Sequence, residues 1–346
     1  MQKSVLFVGD PLDSLAFRSD SSLALAEAAL HLGWQVHWTT PERLSLINGE
    51  VLAQDYEIIK KVNTNTPPEA ESVQASSPHQ ISSYQKIFVR KDPPFDEGYT
   101  ELCWFLLQIK SNSVINSPHA LLTYHEKMLP FWLKASGTVP DHMVVPSYVS
   151  QNPEQLIAQA ERLFNETSQL MPVLAQSLPA DTPAFKILVK PWRGHGGRDI
   201  HVFDSPSELK RWLLRSPEHS HQTTASSRWI LQPFLPEIFT HGDRRVFVAN
   251  GRVVFDFVRR PAAGRVEANL AQGGSAHLEP LSPAQAKIAS EIAIWLKNEG
   301  IYLAGLDFIG DFLTEVNITS PTGIRTFEHL SEKNVSIEIM QELLSK

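Results

Sequence analysis

The chain opens with a continuous apolar run, Val5–Val8. A helix-period segment follows, with Leu23, Ala26 and Leu30 on one face behind the capping residues Asp20, Ser21 and Ser22, and then a second apolar run at Val36–Trp38. Two strands separated by a helix cannot pair as a tight hairpin. They lie parallel, their faces are covered, and ligand sites are expected at their carboxyl ends. Gly33 stands where that helix needs a left-handed terminator, because glycine has no Cβ to clash there. The opening is therefore read as an open parallel α/β sheet, and 346 residues leave room for two or three domains.

Charge and cysteine usage narrow the function classes. With 31 Lys and Arg against 38 Asp and Glu, the net charge of −7 argues against a surface that tracks nucleic acid. The single cysteine, Cys103, excludes an internal disulfide framework and fits a reducing, cytoplasmic setting; among Leu102, Trp104 and Phe105 it reads as a core residue. The apolar run near Met1 is far shorter than the ~7–15 residues of a signal-peptide core, and nothing approaches the ~18 apolar residues of a membrane span. No nucleic-acid or membrane partner is expected.

Residues 63–83 hold three prolines and many Ser, Thr and Gln residues, and read as a mobile surface insertion. A strand at Lys86–Val89 then runs into Arg90-Lys91-Asp92-Pro93-Pro94-Phe95-Asp96, where two prolines end regular pairing. After Ser117-Pro118, Leu121–Leu133 predicts a helix. Ala184–Val189 predicts a strand leading into Lys190-Pro191-Trp192-Arg193-Gly194-His195-Gly196-Gly197, residues 216–227 a loop, and Trp229–Gln232 a strand. Ser282 as N-cap, Pro283 at the first helical position and Gly300 as terminator bound a helix with Ile288, Ile292, Trp295 and Leu296 on one face.

The sharpest chemical signal is Gly305-Leu306-Asp307-Phe308-Ile309-Gly310-Asp311-Phe312-Leu313-Thr314-Glu315-Val316-Asn317, read as a β-hairpin. A two-residue turn would set Asp307 opposite Thr314. A three-residue loop sets it opposite Glu315 and gathers the apolar residues on one face, so that register is expected. Asp307, Glu315 and Asn317 on one face suit Mg²⁺, a hard cation that completes its octahedron with phosphate oxygens and so points to a nucleotide triphosphate. Taken alone, the pattern equally describes the solvent face of a half-exposed hairpin. Gly194, Gly196 and Gly197 would let backbone N–H groups approach a phosphate with Lys190 supplying charge, although a plain flexible turn has the same spacing. Arg244, Arg245, Arg252, Arg259, Arg260 and Arg265 form a basic island that can hold anions or pair with acids elsewhere. The island and the acidic hairpin are read as opposite walls around a metal–nucleotide complex. The small-residue segment Asn269–Ser275 follows as a candidate lid, and His195 as a candidate phosphate contact. Zinc-type ligand spacing and a Gly-x-Ser-x-Gly elbow are both missing from the sequence.

In this order, these stretches, with Leu46-Ile47-Asn48-Gly49-Glu50, Asn116-Ser117-Pro118, Glu126-Lys127, Gly242-Asp243 and Ile318-Thr319-Ser320-Pro321-Thr322, resemble the bacterial glutathione synthetases of the ATP-grasp superfamily over nearly the whole chain. The resemblance implies an α/β fold, α+β in its C-terminal part: a pre-ATP-grasp domain at 1–120, then an ATP-grasp domain with a lid subdomain at 121–235 and a C-terminal subdomain at 236–346. By matching positions it implies ATP contacts from Lys127, Lys190, Gly194, Gly196, Gly197, Gln232, Pro233, Phe234, Leu235 and Asp243. It implies Mg²⁺, or Mn²⁺ in its place, on Asp307, Glu315 and Asn317, with Arg245, Arg259 and Asn269 facing the phosphates or an acyl phosphate. Asp20, Ser21, Arg90, Ser320, Pro321 and Thr322 would lie near the peptide substrate.

The implied reaction joins γ-glutamylcysteine to glycine with ATP through an acyl phosphate, in a homotetramer by family likeness. It needs no side-chain nucleophile. Glu267 and Ser275 stand where the family pattern has arginines, with Arg265 nearby. A ligase for another acyl donor or amine, and a weakened homologue that only binds nucleotide or thiol peptide, are the alternatives.

Overall fold

The computed structural model describes residues 3–58, 73–75, 77–109, 113–175, 185–214 and 228–345. The first apolar run forms strand Ser4–Gly9, with Val5–Val8 wholly buried, and it pairs in parallel with Gln35–Thr39 on one side and Lys86–Arg90 on the other. Between them runs helix Ser21–His31, whose N-terminus is capped by the Asp20 carboxylate accepting from Leu23 N at 2.8 Å. The parallel centre continues into Val114–Ile115, while Tyr56–Ile58 and Val73–Ala75 add antiparallel strands at the opposite edge. The expected parallel sheet is thus a mixed one of six strands.

The segment read as a mobile insertion is part of this construction at its far end. Residues 59–72 and 76 lie outside the described residues, but Val73–Ala75 extends the sheet. His79–Gln80 pairs with Glu50–Ala53 in a small three-stranded sheet, and Ile81 is fully buried. A polar composition hid one apolar anchor, Ile81, and the pairing of two short strands. The predicted loop at 216–227 lies outside the described residues.

Residues 121–133 are not one helix. Helix Pro118–Thr123 ends at Tyr124, and a second begins at Leu129–Ala135 with Pro130 in its first turn. Proline is accepted there because its missing N–H would be unpaired anyway. The intervening turn is stitched to the last strand by Val316 N donating to Glu126 O. Leu129, Leu133, Met143 and Val144 share a core with Leu306, Phe308 and Leu313, so this stretch packs on the C-terminal sheet.

A four-stranded antiparallel sheet runs in the order Tyr148–Ser150, Trp229–Pro233, Ile187–Pro191, His201–Phe203, covered by helices Pro153–Ala175 and Pro206–Leu214 through Leu156, Ala160 and Leu209. A five-stranded antiparallel sheet follows in the order Ser275–His277, Arg252–Arg260, Asp243–Ala249, Leu303–Ile309, Phe312–Asn317. Behind it lies helix Pro283–Asn298, which starts in a capping box between Ser282 and Gln285 and buries Ile288, Ile292 and Leu296 as the periodicity predicts. Asn116 ties the six-stranded sheet to the five-stranded one: its amide donates to Leu303 O and Ile318 O and accepts from the N–H groups of Tyr302 and Leu303. No helix among the described residues is long and apolar enough to cross a membrane.

Candidate active site

The four- and five-stranded sheets face each other across a cavity of about 190 Å³. Lys127, Lys190, Gly194, Gly196, Gly197, Gln232, Pro233, Phe234, Leu235, Asp243, Arg245, Arg259, Asn269, Asp307, Glu315 and Asn317 all line it. These residues come from separate stretches of the sequence, and the fold brings them into one space.

The four-stranded sheet supplies the upper wall. Lys190 stands near the end of its strand, and the chain then turns through Gly196 and Gly197, whose φ values of +66° and +74° belong to the left-handed region that glycine tolerates. A Cβ on Gly197 would sit 3.4 Å from Cβ of Glu267, so the turn and the 266–269 segment close on each other. Gln232 is fixed by donating from Nε2 to Ser147 Oγ at 2.6 Å.

The floor is the five-stranded sheet, and its register decides the chemistry. Asp243 pairs with Arg259, Arg245 with Asp307, and Asp307 with Glu315 across neighbouring strands. The Arg245 guanidinium grips Asp307 with two bonds, Nε to Oδ1 at 2.6 Å and Nη2 to Oδ2 at 3.0 Å. Arg259 Nη2 donates to Asp243 Oδ2 at 2.5 Å and lies 3.1 Å from Asp307 Oδ1. Gly305 makes room: a Cβ there would meet the Arg245 side chain at 3.0 Å. Burial pushes the Asp307 carboxyl up, but Arg245 and Arg259 outweigh it and hold the group at about 2. Burial likewise raises Glu315, and the ammonium groups of Lys127, 3.1 Å away, and Lys190 bring it below the usual range. Lys190 is itself lowered by burial, opposed by Glu315.

Two expectations are corrected here. The hairpin turn has two residues, Gly310 and Asp311, with Ile309 opposite Phe312; the anticipated Asp307–Glu315 pairing arises because Thr314 is an extra, bulged residue. Its hydroxyl donates to Asp307 O at 3.0 Å. The basic island and the acidic hairpin are also not opposite walls. They occupy adjacent strands of one sheet, so their charges interleave. Arg244 pairs with Asp256, Arg252 with Glu338 and Glu342, and Arg260 with Glu279, leaving Arg245 and Arg259 at the cavity.

Asp20, Ser21, Arg90, Ser320, Pro321 and Thr322 are not among the lining residues; Ser21, Arg90, Ser320 and Pro321 are buried, Asp20 is half-buried and Thr322 is exposed, and hydrogen bonds link Ser21, Arg90, Pro321 and Thr322 to their surroundings. Arg90 donates to Ser22 Oγ at 2.8 Å and to Pro321 O at 3.0 Å, Ser21 Oγ accepts from the N–H groups of Gly323 and Ile324, and Arg245 Nη1 donates to Thr322 O at 2.9 Å. This network joins the carboxyl end of the first sheet to the floor of the cavity.

Among the described residues no three His, Cys, Asp or Glu side chains gather to hold a metal. The hairpin set is two carboxylates and an amide, all oxygen donors, which suits Mg²⁺ completed by phosphate oxygens. Asn317 Nδ2 donates to Asp307 Oδ2 at 3.0 Å, leaving its amide oxygen for a cation. Asp243 Oδ1 and Arg259 Nε are buried without a hydrogen-bond partner, as groups awaiting a ligand would be.

Sequence reasoning gave no role to Glu126, whose Oε1 accepts from Ile318 N, Thr319 N and Thr319 Oγ1 at 2.8–2.9 Å and so fixes the turn that carries Lys127. It also passed over the apolar lining residues Val145, Leu188, Ile238 and Ile309, which carry no signal beyond hydrophobicity. His195 lines the cavity, as does Glu267. Arg265 is exposed, bonded to Gln272 rather than turned inward, and Ser275 belongs to an exposed edge strand.

Residues 4–121 match the N-terminal domain of prokaryotic glutathione synthetase, and residues 177–332 match its ATP-grasp domain. The chain belongs to the prokaryotic glutathione synthetase family. It is 29% identical over 344 residues to a glutathione synthetase of Prochlorococcus marinus, covering 98% of each chain, and 28% identical over 339 residues to one of Vibrio vulnificus, covering 97% and 95%. Among solved structures, the D-cycloserine synthetase DcsG superposes with a TM-score of 0.66 at 14% identity over 99% of each chain. The ATP-grasp ligase PsnB, complexed with a precursor variant, Mg and ADP, superposes at 0.60 with 15% identity over 100% and 99%. These likenesses establish the ATP-grasp fold, and with the family they mark the protein as a ligase.

Proposed function

We propose that the protein joins γ-glutamylcysteine to glycine, converting ATP to ADP and phosphate. The observation that carries the proposal is the convergence of Lys127, Lys190, Arg245 and Arg259 with Asp307, Glu315 and Asn317 in a single cavity between two antiparallel sheets. Gln232–Leu235 form the adenine-side strand end, and Asp243, with its unpartnered Oδ1, meets the ribose. Asp307, Glu315 and Asn317 would hold Mg²⁺, whose contribution is to neutralise and orient phosphate oxygens.

A carboxylate oxygen of the donor attacks the γ-phosphorus as ADP leaves. The glycine amine then attacks the resulting acyl carbon, phosphate departs, and the nitrogen gives up a proton. Arg245, Arg259, Lys127 and Lys190 stabilise the charge moving onto phosphate oxygens, and the 266–269 segment closed on the glycine turn keeps water from the acyl phosphate. Arg90, with Asp20, Ser21 and Ser320–Thr322, lies beside the donor. Division into units at 1–120, 121–235 and 236–346, a cytoplasmic location and a homotetramer belong to the same proposal.

Glu267 favours a second reading, in which the amine is not glycine. A carboxylate facing a phosphate cavity repels the carboxylate of an amino acid. ADP release measured with γ-glutamylcysteine and glycine, and with γ-glutamylcysteine and amines lacking a carboxylate, separates the two. Turnover with glycine supports the first reading, turnover only with the other amines the second, and Mg-ATP binding with no turnover on any pair contradicts both.

A further inference from the structure

The turn that presents Lys127 and the turn that presents the glycines belong to different bodies. His125, Glu126 and Lys127 are stitched to the floor through the bonds of Glu126 to Ile318 and Thr319. Trp192 belongs to the upper wall, its N–H donating to Arg228 O at 2.8 Å. Across the gap the imidazole of His125 lies flat on the indole of Trp192, with centroids 4.1 Å apart and planes within 9°.

His125 is tied to the lysine as well: Lys127 N donates to its Nδ1 at 3.3 Å, while Lys127 Nζ donates to Gly194 O. Burial, with Lys127 and Arg193 nearby, lowers His125 to about 4, so near pH 7 the ring is neutral and its Nδ1 can accept. Lys127 and Gly194 also line a second recess of about 60 Å³ together with His125 and Trp192, which places the stack at the edge of the main cavity.

We propose that the His125–Trp192 stack clamps the glycine turn to the lysine turn and thereby sets the position of Lys127 and the turn's N–H groups toward the nucleotide phosphates. The inference rests on the nucleotide reading above. Both aromatics are positioning residues: neither has to touch the ligand. A stacked pair of this kind is worth about a three- to tenfold change in affinity, provided it is formed in the bound state.

The test uses the full-length protein and a double-mutant cycle. His125→Ala and Trp192→Ala are each expected to raise KM for ATP and Kd for a non-hydrolysable Mg-ATP analogue about three- to tenfold, with KM for the acyl donor within about twofold of the parent. The double variant should be no weaker than His125→Ala alone, because Trp192 acts through the His125 ring whereas His125 also accepts from Lys127 N. His125→Phe, which keeps a flat ring, should recover most of the affinity, and thermal melts identify any variant that fails to fold. Alanine variants that bind the analogue as tightly as the parent, or losses that simply add, overturn the inference. A parent protein that binds no nucleotide overturns the nucleotide reading and the inference with it.

Discussion

Arg245 and Asp307 face each other on adjacent strands, joined by two bonds of 2.6 and 3.0 Å, with Arg259 3.1 Å from the same carboxylate. Asp307 is therefore the carboxylate that pairs with Arg245 and shares Arg259 with Asp243, while standing in the set of oxygens proposed to receive a cation. Because all three are buried, removing the acid leaves uncompensated charge where water cannot screen it. Asp307→Ala should cost about 3–5 kcal/mol in urea unfolding and eliminate turnover. A loss below about 1 kcal/mol would show that the arginines do not depend on Asp307.

Glu315 has a different balance. It pairs with Lys127 at 3.1 Å and keeps some exposure, so the fold depends on it less. Glu315→Ala should leave the melting temperature within a few degrees of the parent while lowering Mg²⁺-dependent ADP release at least about 100-fold. Ordinary activity at millimolar Mg²⁺ would mean that the metal site lies elsewhere.

Cys103 is fully buried, and burial pushes its thiol up to about 12. The thiolate is the reactive form, so the native protein should resist alkylation at pH 8 and the urea-unfolded protein should take up one equivalent. Rapid labelling of the native protein would contradict this.

The helix starting at Pro283 begins in a complete capping box. Ser282→Ala should cost about 1 kcal/mol of stability with no change in ADP release, since the cap lies on the helix behind the sheet. A change in KM for ATP would show that this helix couples to the site.

The hairpin shows what the sequence could carry. Alternation of apolar and polar residues fixed the Asp307–Glu315 pairing, because one face had to be buried, yet it could not distinguish a longer loop from a bulge at Thr314. Local signals also found the Asp20 and Ser282 caps. Pairing across strands was less legible. Whether Arg245 met an acid or a ligand depended on the strand order, in which Asp243–Ala249 lies between Arg252–Arg260 and Leu303–Ile309. Contacts between turns distant in sequence, such as His125 on Trp192, had no local signature at all.

The central claim, a ligase that activates a carboxylate with ATP, is tested most directly by isotope transfer. γ-Glutamylcysteine labelled with ¹⁸O in its cysteinyl carboxylate is incubated with the protein, Mg²⁺, ATP and glycine, and the phosphate and peptide are analysed by mass spectrometry. The account predicts that one labelled oxygen appears in the released phosphate for each glutathione formed. Glutathione formed with unlabelled phosphate, or ADP released without peptide, would contradict it.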